Sequence, residues 1–369
     1  MKKDNSIILW RIIFAYMIMI YHFDNKYIIS YHFDLMPGWY IGVEFFFIVS
    51  GYLLYAKFDV LSEKYHSGLA YLGYRYKKIY PYYLASFILC FIFFFLTRDG
   101  TSLLEIIRIL SNDFFEVFAL QGIGLNDGWS YINNTGWFIS ILLICDFVIF
   151  HCLLKWKYTF ENFAAPLIVI ICFSFLYSNM QGIGAAVQTT GFYENWGLMR
   201  GMADMCLGIF AARLNQAFSR VKSPKALKAA GTLGFLFVII CSLKYGNSTT
   251  DFLYTMILTV SVATGFLPSK SRIYEKKWIY SWSGLTMCMY LVHDVFRTSI
   301  FPAYLGIPEK LSLKFVYLLL YMAVVTVFAF IFKSVIGWSI KKLGILTEKW
   351  FGADKNRSDT AAIYHRKAQ

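Results

Sequence analysis

Residues 6–23 read SIILWRIIFAYMIMIYHF. Eighteen nearly unbroken apolar residues are enough helix to cross the hydrocarbon core of a bilayer. Two residues break the run, Arg11 and His22. An ionisable group at that depth is costly and is a functional candidate by default. At about 100° per residue, the eleven steps between them turn roughly 1100°, three turns and about 20°, so both side chains face one side. The rise between them is about 16 Å, half the hydrocarbon thickness. Lys2 and Lys3 before the run resemble the start of a signal peptide. The embedded Arg11 and His22 and the lack of a small-residue cleavage site favour a retained first helix.

The same reading extends outward to nine more apolar stretches: Trp39–Tyr55, Tyr80–Leu96, Thr135–Leu154, Pro166–Ser178, Trp196–Ala212, Ala229–Leu243, Phe252–Leu267, Tyr280–Phe296 and Leu313–Trp338. The 369 residues are 58% hydrophobic and only 15% charged, well short of a soluble domain's share of charge. That excludes a disordered chain, a coiled coil and a collagen-like fibre. Solid apolar runs, rather than weak alternating ones, exclude a membrane β-barrel. The expectation is an all-α, polytopic membrane bundle of about ten transmembrane helices. It comprises a transmembrane domain over residues 1–345 and a cytoplasmic polar tail over 346–369, expected to be disordered after Trp350.

The net charge of +13 is distributed by topology. With the N-terminus inside, 25 of the 35 Lys and Arg fall in cytoplasmic segments, five in outer loops and five in or at the ends of helices. This bias predicts both termini in the cytoplasm and removes the case for nucleic acid as a partner. The partners expected are membrane lipid and a substrate. Seven scattered cysteines with no CxxC pair argue against a disulfide framework or a metal site. In the longest outer loop, Leu103–Leu120 has helical spacing with Glu105, Arg108, Asp113 and Glu116, and reads as an interfacial helix.

Further polar residues fall at the depth of His22. Glu44 on the second stretch, which runs back inward, is placed to orient and polarise the imidazole. His293 and Asp294 on the ninth, Arg200 and Asp204 on the sixth, and Trp137 and Ser140 at the start of the fourth reach the same level. Arg200 and Asp204 are four apart and can neutralise each other. Each has an ordinary reading: a structural histidine, a snorkelling arginine, an internal ion pair, an interfacial tryptophan. One shared polar cavity accounts for their convergence on separate helices. The basic, aromatic segment Tyr74–Pro81 adds Arg75 and Lys78 on the cytoplasmic side, suited to phosphate.

Taken in order, these blocks resemble the acyltransferase-3 family, integral-membrane O-acyltransferases of bacterial surface glycans. The resemblance rests on Arg11, ten residues, then His22, and on Gly42-Val43-Glu44-Phe45-Phe46-Phe47-Ile48-Val49-Ser50-Gly51. It continues through Arg75-Tyr76-Lys77-Lys78, Trp137-Phe138-Ile139-Ser140, Arg200-Gly201-Met202-Ala203-Asp204 and Tyr290-Leu291-Val292-His293. It implies a cytosolic acyl-CoA donor, usually acetyl-CoA, with no metal, and a glycan hydroxyl as acceptor on the outer side of a bacterial cytoplasmic membrane. It further implies His22 as base or transient acyl carrier with Glu44 as its partner. Arg11, Arg75 and Lys78 would hold coenzyme A, and Trp137, Ser140, Arg200 and His293 would line the acceptor side. Two departures stand out. The basic block is not Arg-rich, and the first acid after Trp137-x-x-Ser140 is Asp146, where many members carry a Glu. The competing reading is a multi-pass transporter of a glycan or small solute, for which inverted repeats and broken helices are the expected signs.

Overall fold

Apolar runs must satisfy their own backbone in lipid, and helix is the form that does so within one segment. The computed structural model describes residues 6–27, 36–98, 100, 102–123, 132–184, 195–269 and 276–366, and no strand occurs among them. Lys2, Lys3, Lys270, Arg272 and Lys367 of the charge distribution lie outside the described residues.

The helices are α1 (Ile7–Tyr27), α2 (Gly42–Ala56), α3 (Phe58–Lys64), α4 (Gly68–Leu96), α5 (Leu103–Asn112), α6 (Phe114–Val117), α7 (Trp137–Thr159) and α8 (Ala165–Met180). They continue as α9 (Trp196–Phe218), α10 (Lys225–Cys241), α11 (Thr250–Gly265), α12 (Lys277–Ser283), α13 (Thr286–Val295), α14 (Phe301–Leu305) and α15 (Leu311–Arg366). Five stretches are long and apolar enough to cross a membrane: Ile7–Asp24, Trp39–Ala56, Gly68–Leu96, Asn134–Met180 and Leu311–Leu343. The chain is a multi-pass, all-helical membrane protein.

Three features differ from the sequence expectation. The third helix starts at Gly68, so the basic block Tyr74–Pro81 is helical and Pro81 lies inside α4. Ser67 caps that start by accepting from the Ala70 N–H at 3.1 Å. The ninth stretch is not one helix. It breaks at Gly284-Leu285 between α12 and α13, and Phe296–Ile300 is a π-turn before α14. The Thr286 hydroxyl donates to the Ser283 carbonyl at 3.0 Å, restoring part of the lost backbone bonding. The last helix runs on past Trp338 into the polar tail, where no proline follows Pro308 to stop it.

α2 and α9 run parallel at the centre, and two glycines set their separation. A Cβ at Gly51 would lie 2.1 Å from the Met205 carbonyl oxygen, and one at Gly208 would lie 2.3 Å from that of Ile48. Small residues that let backbones touch are what holds helices together where both solvent and side chains are apolar. α1 packs against both α2 and α13, so it stands between the helices carrying Glu44 and His293. In the loop region, α5 buries none of its side chains, and Leu103, Leu104 and Ile107 are exposed. Asp113 and Glu116 are buried instead of forming a polar face. The Asn133 N–H donates to Glu116 Oε1 at 2.6 Å, and the Tyr83 hydroxyl donates to the Glu116 carbonyl at 2.7 Å.

Candidate active site

Residues 11, 15, 18 and 22 recur at helical spacing and form one face of α1. The first three, Arg11, Ala15 and Ile18, line a cavity of about 530 Å³ walled also by α2, α4, α7, α13 and α15. Five cations border it: Arg11, Lys57, Arg75, Lys78 and Lys333. Its single carboxylate, Asp146, accepts from Arg75 Nε at 2.6 Å. The acid that departs from the family pattern therefore neutralises one arginine of the basic block. Arg11 Nε is buried without a hydrogen-bond partner, and no carboxylate among the described residues pairs with Lys333, Lys57 or Lys78. A cavity with one acid and several unpaired cations suits a ligand carrying more than one negative charge.

Tyr290 also lines this cavity. One turn later on α13 comes His293, fully buried. His22 Nδ1 lies 2.8 Å from His293 Nε2. His293 Nδ1 lies 2.6 Å from the Tyr290 carbonyl oxygen. The two ring planes are 10° apart with centroids 5.0 Å apart. The centroid separation exceeds the 2.8 Å nitrogen separation by about two ring radii, so the rings meet edge to edge in nearly one plane. Around them, Arg297 donates to Asp294 and, at 3.4 Å, to the His22 carbonyl. The Tyr321 hydroxyl donates to the His293 carbonyl at 3.2 Å.

The expected Glu44 partner for His22 is thus replaced by His293. Glu44 Oε1 instead accepts from Arg200 Nε, with the side chains 0% and 1% exposed. Glu44 sits in the first turn of α2 and Arg200 at the start of the second turn of the parallel α9, and the close approach at Gly51 and Gly208 brings those two levels into register. The Arg200 guanidinium also lies 5.5 Å from the Trp137 ring and 5.8 Å from the Tyr40 ring. With Arg200 taken by Glu44, the internal Arg200–Asp204 pair does not form. Both Asp204 carboxylate oxygens are buried without a hydrogen-bond partner among the described residues.

The nine residues singled out from the sequence therefore separate into groups. Arg11, Arg75 and Lys78 share the cavity. His22 and His293 bond to each other. Glu44, Arg200 and Trp137 form a separate buried cluster. Ser140 belongs to none of these, because its oxygen accepts from the Gly122 N–H at 2.9 Å and pins a turn. Residues not assigned from sequence also take part. Lys333 borders the cavity with its Nζ against Gly284, where an added Cβ would lie 2.7 Å away. The Tyr40 hydroxyl donates to Asp251 Oδ2 at 2.6 Å, and the Ile183 N–H donates to the same oxygen at 2.9 Å. Lys333 was visible as a charge inside an apolar helix. Asp251 lies among polar residues that mark only a helix start, which carries no such signal.

No curated protein and no solved structure matches this chain. The acyltransferase-3 family model, described as an acyltransferase domain, matches residues 4–334. That span takes in α1 through most of the apolar part of α15, and with it both the cavity and the histidine pair. The chain is an acyltransferase and belongs to the acyltransferase-3 family.

Proposed function

We propose that this enzyme moves a short acyl group, most simply acetyl, from cytosolic acyl-CoA to a hydroxyl of a cell-surface or lipid-linked glycan, with His22 as general base. The observation that carries the reading is the face of α1: its Arg11 end lines a cationic cavity and its His22 end meets His293. Arg11, Lys78, Lys57 and Lys333, with Arg75 partly neutralised, would hold the coenzyme A phosphates. The pantetheine arm would run about 16 Å along α1 toward His22. There the acceptor hydroxyl gives its proton to His22 as its oxygen bonds the thioester carbonyl carbon. The C–S bond breaks and the thiolate takes the proton back from His22. General-base help of this kind is worth roughly 10²–10⁴-fold in rate. The apolar walls limit hydrolysis of the thioester by keeping water out.

The topology that serves this reaction is ten crossings with both termini cytoplasmic, in a bacterial cytoplasmic membrane. It is supported by the excess of Lys and Arg in alternate connections. The Arg11 end of the cavity then opens to the cytosol and His22 lies toward the outer side. The test is mass spectrometry of surface glycans from cells carrying the wild-type protein or His22→Ala, matched for membrane expression. The expected result is loss of the acyl increment in the variant. Full acylation by His22→Ala would overturn the role of His22, and an unchanged glycan on deletion of the whole gene would overturn the acceptor class.

A further inference from the structure

We propose that His293 is a positioning residue that fixes the tautomer of His22 and leaves His22 Nε2 as the bare nitrogen that takes the acceptor's proton. The inference rests on the reading of His22 as base and adds what holds that base ready.

The assignment follows from hydrogen-bond partners alone. A carbonyl oxygen only accepts, so His293 Nδ1, 2.6 Å from the Tyr290 carbonyl, carries a hydrogen. In the neutral ring His293 Nε2 is then an acceptor. His22 Nδ1, 2.8 Å from it, must be the donor. That leaves the lone pair of neutral His22 on Nε2. The near-coplanar rings give the Nδ1–H···Nε2 bond its in-line geometry. Both nitrogens of His293 are thereby engaged, so it has none to offer a glycan hydroxyl, and the acceptor-lining role implied by the family resemblance does not fit its contacts.

The anchor is rigid at both ends. The Tyr290 hydroxyl donates to the Thr135 carbonyl at 2.7 Å, fixing the residue whose carbonyl sets His293. Tyr321 holds the His293 carbonyl, and Arg297 bridges Asp294 to the His22 carbonyl. His293 itself lies in regular helix, and the π-turn at Phe296–Ile300 begins directly after Val295, within one turn of it. During transfer, His22 gains a proton at Nε2 and becomes imidazolium, while its Nδ1–H still points at the His293 lone pair. The charge that develops therefore meets an acceptor already in place, with no reorientation of the ring. When the thiolate takes the proton, the starting tautomer returns.

Glutamine can replace both bonds of His293, with its amide N–H donating to Tyr290 and its amide oxygen accepting from His22, whereas alanine replaces neither. With purified protein in detergent, acyl-CoA and an oligosaccharide acceptor, His293→Ala is expected to lose roughly 10- to 100-fold in kcat, part of the span of general-base catalysis. The apparent KM values for both substrates should stay near wild type, and His293→Gln should recover most of the lost kcat. A raised acceptor KM with kcat intact in His293→Ala would make His293 a substrate contact and overturn the proposal, as would a His293→Gln variant as slow as His293→Ala. A measurement that needs no His293 variant covers the case of misfolding. The chain has six histidines, so ¹⁵N-histidine labelling gives few signals, and His22→Ala identifies that of His22. A bare Nε2 and protonated Nδ1 in the wild type are expected; the opposite tautomer would overturn the proposal. Full activity of His22→Ala, by contrast, would remove the base reading and leave the tautomer assignment standing.

Discussion

Two regions of the bundle carry charge among apolar helices, and they treat it in opposite ways. At the His22 end, each arginine has its own acid: Arg200 has Glu44 and Arg297 has Asp294. Around the cavity at the Arg11 end, Arg75 alone is paired, while Arg11, Lys57, Lys78 and Lys333 have no acid among the described residues. A charge removed from water needs a partner. Where the chain supplies it, the charge serves the fold. Where it does not, the ligand is expected to supply it. Pairing therefore separates architecture from binding better than depth does.

The largest effect should come from breaking the best-paired region. Removing Glu44 or Arg200 alone leaves the other charge buried and uncompensated, which costs about 3–5 kcal/mol. Arg200→Met should show a large loss of thermal stability in detergent, and Glu44→Leu with Arg200→Met together should recover much of it, since an apolar pair of similar volume is often neutral. A stable Arg200→Met protein with a raised acceptor KM would instead make Arg200 a ligand group and erase the contrast between the two regions.

That contrast also explains what was legible in the sequence. The face shared by Arg11 and His22 follows from spacing within one helix, and period alone fixes it. The helical stretches follow from apolar length. The pairings across helices were not legible. Glu44 and His22 share a depth, yet Glu44 bonds Arg200, because the approach of α2 to α9 at Gly51 and Gly208 sets which residues near the two helix starts meet. Asp146 reads as an isolated acid until α4 packs on α7 and brings Arg75 to it. The break at Gly284 was hidden because Trp282, Leu285 and Met287 keep the stretch apolar on both sides, and only glycine marks the point. Broken helices were the expected sign of a transporter. Here the break borders the cavity beside Lys333, so the same device serves a binding site.

The next effect in size concerns an unpaired cation. Arg11→Ala should leave stability close to wild type, since no partner is orphaned. It should raise the apparent KM for acyl-CoA roughly tenfold, the scale of one hydrogen bond to a charged group, with kcat less affected. Titrating initial rate against donor concentration measures both. An unchanged KM would remove Arg11 from the donor site, and a large loss of stability would mean that Arg11 has a structural partner after all.

The smallest effect tests whether absence of an acid identifies a ligand contact even at a position outside the basic block. Lys333 reaches the cavity from α15 across Gly284. A lysine offers a point charge rather than a guanidinium fork, so its contribution to phosphate binding is weaker and less directional than that of Arg11. Lys333→Met keeps the length and apolar stem. It should raise the acyl-CoA KM by a few-fold, on the order of 1 kcal/mol, and Lys333→Arg should restore it. Lys333→Met should also flatten the dependence of that KM on ionic strength, because one fewer cation faces the phosphates. A KM and salt profile identical to wild type would show that Lys333 only carries its charge toward the membrane edge along Gly284. The unpaired state of a cation would then no longer suffice to place it in the donor site.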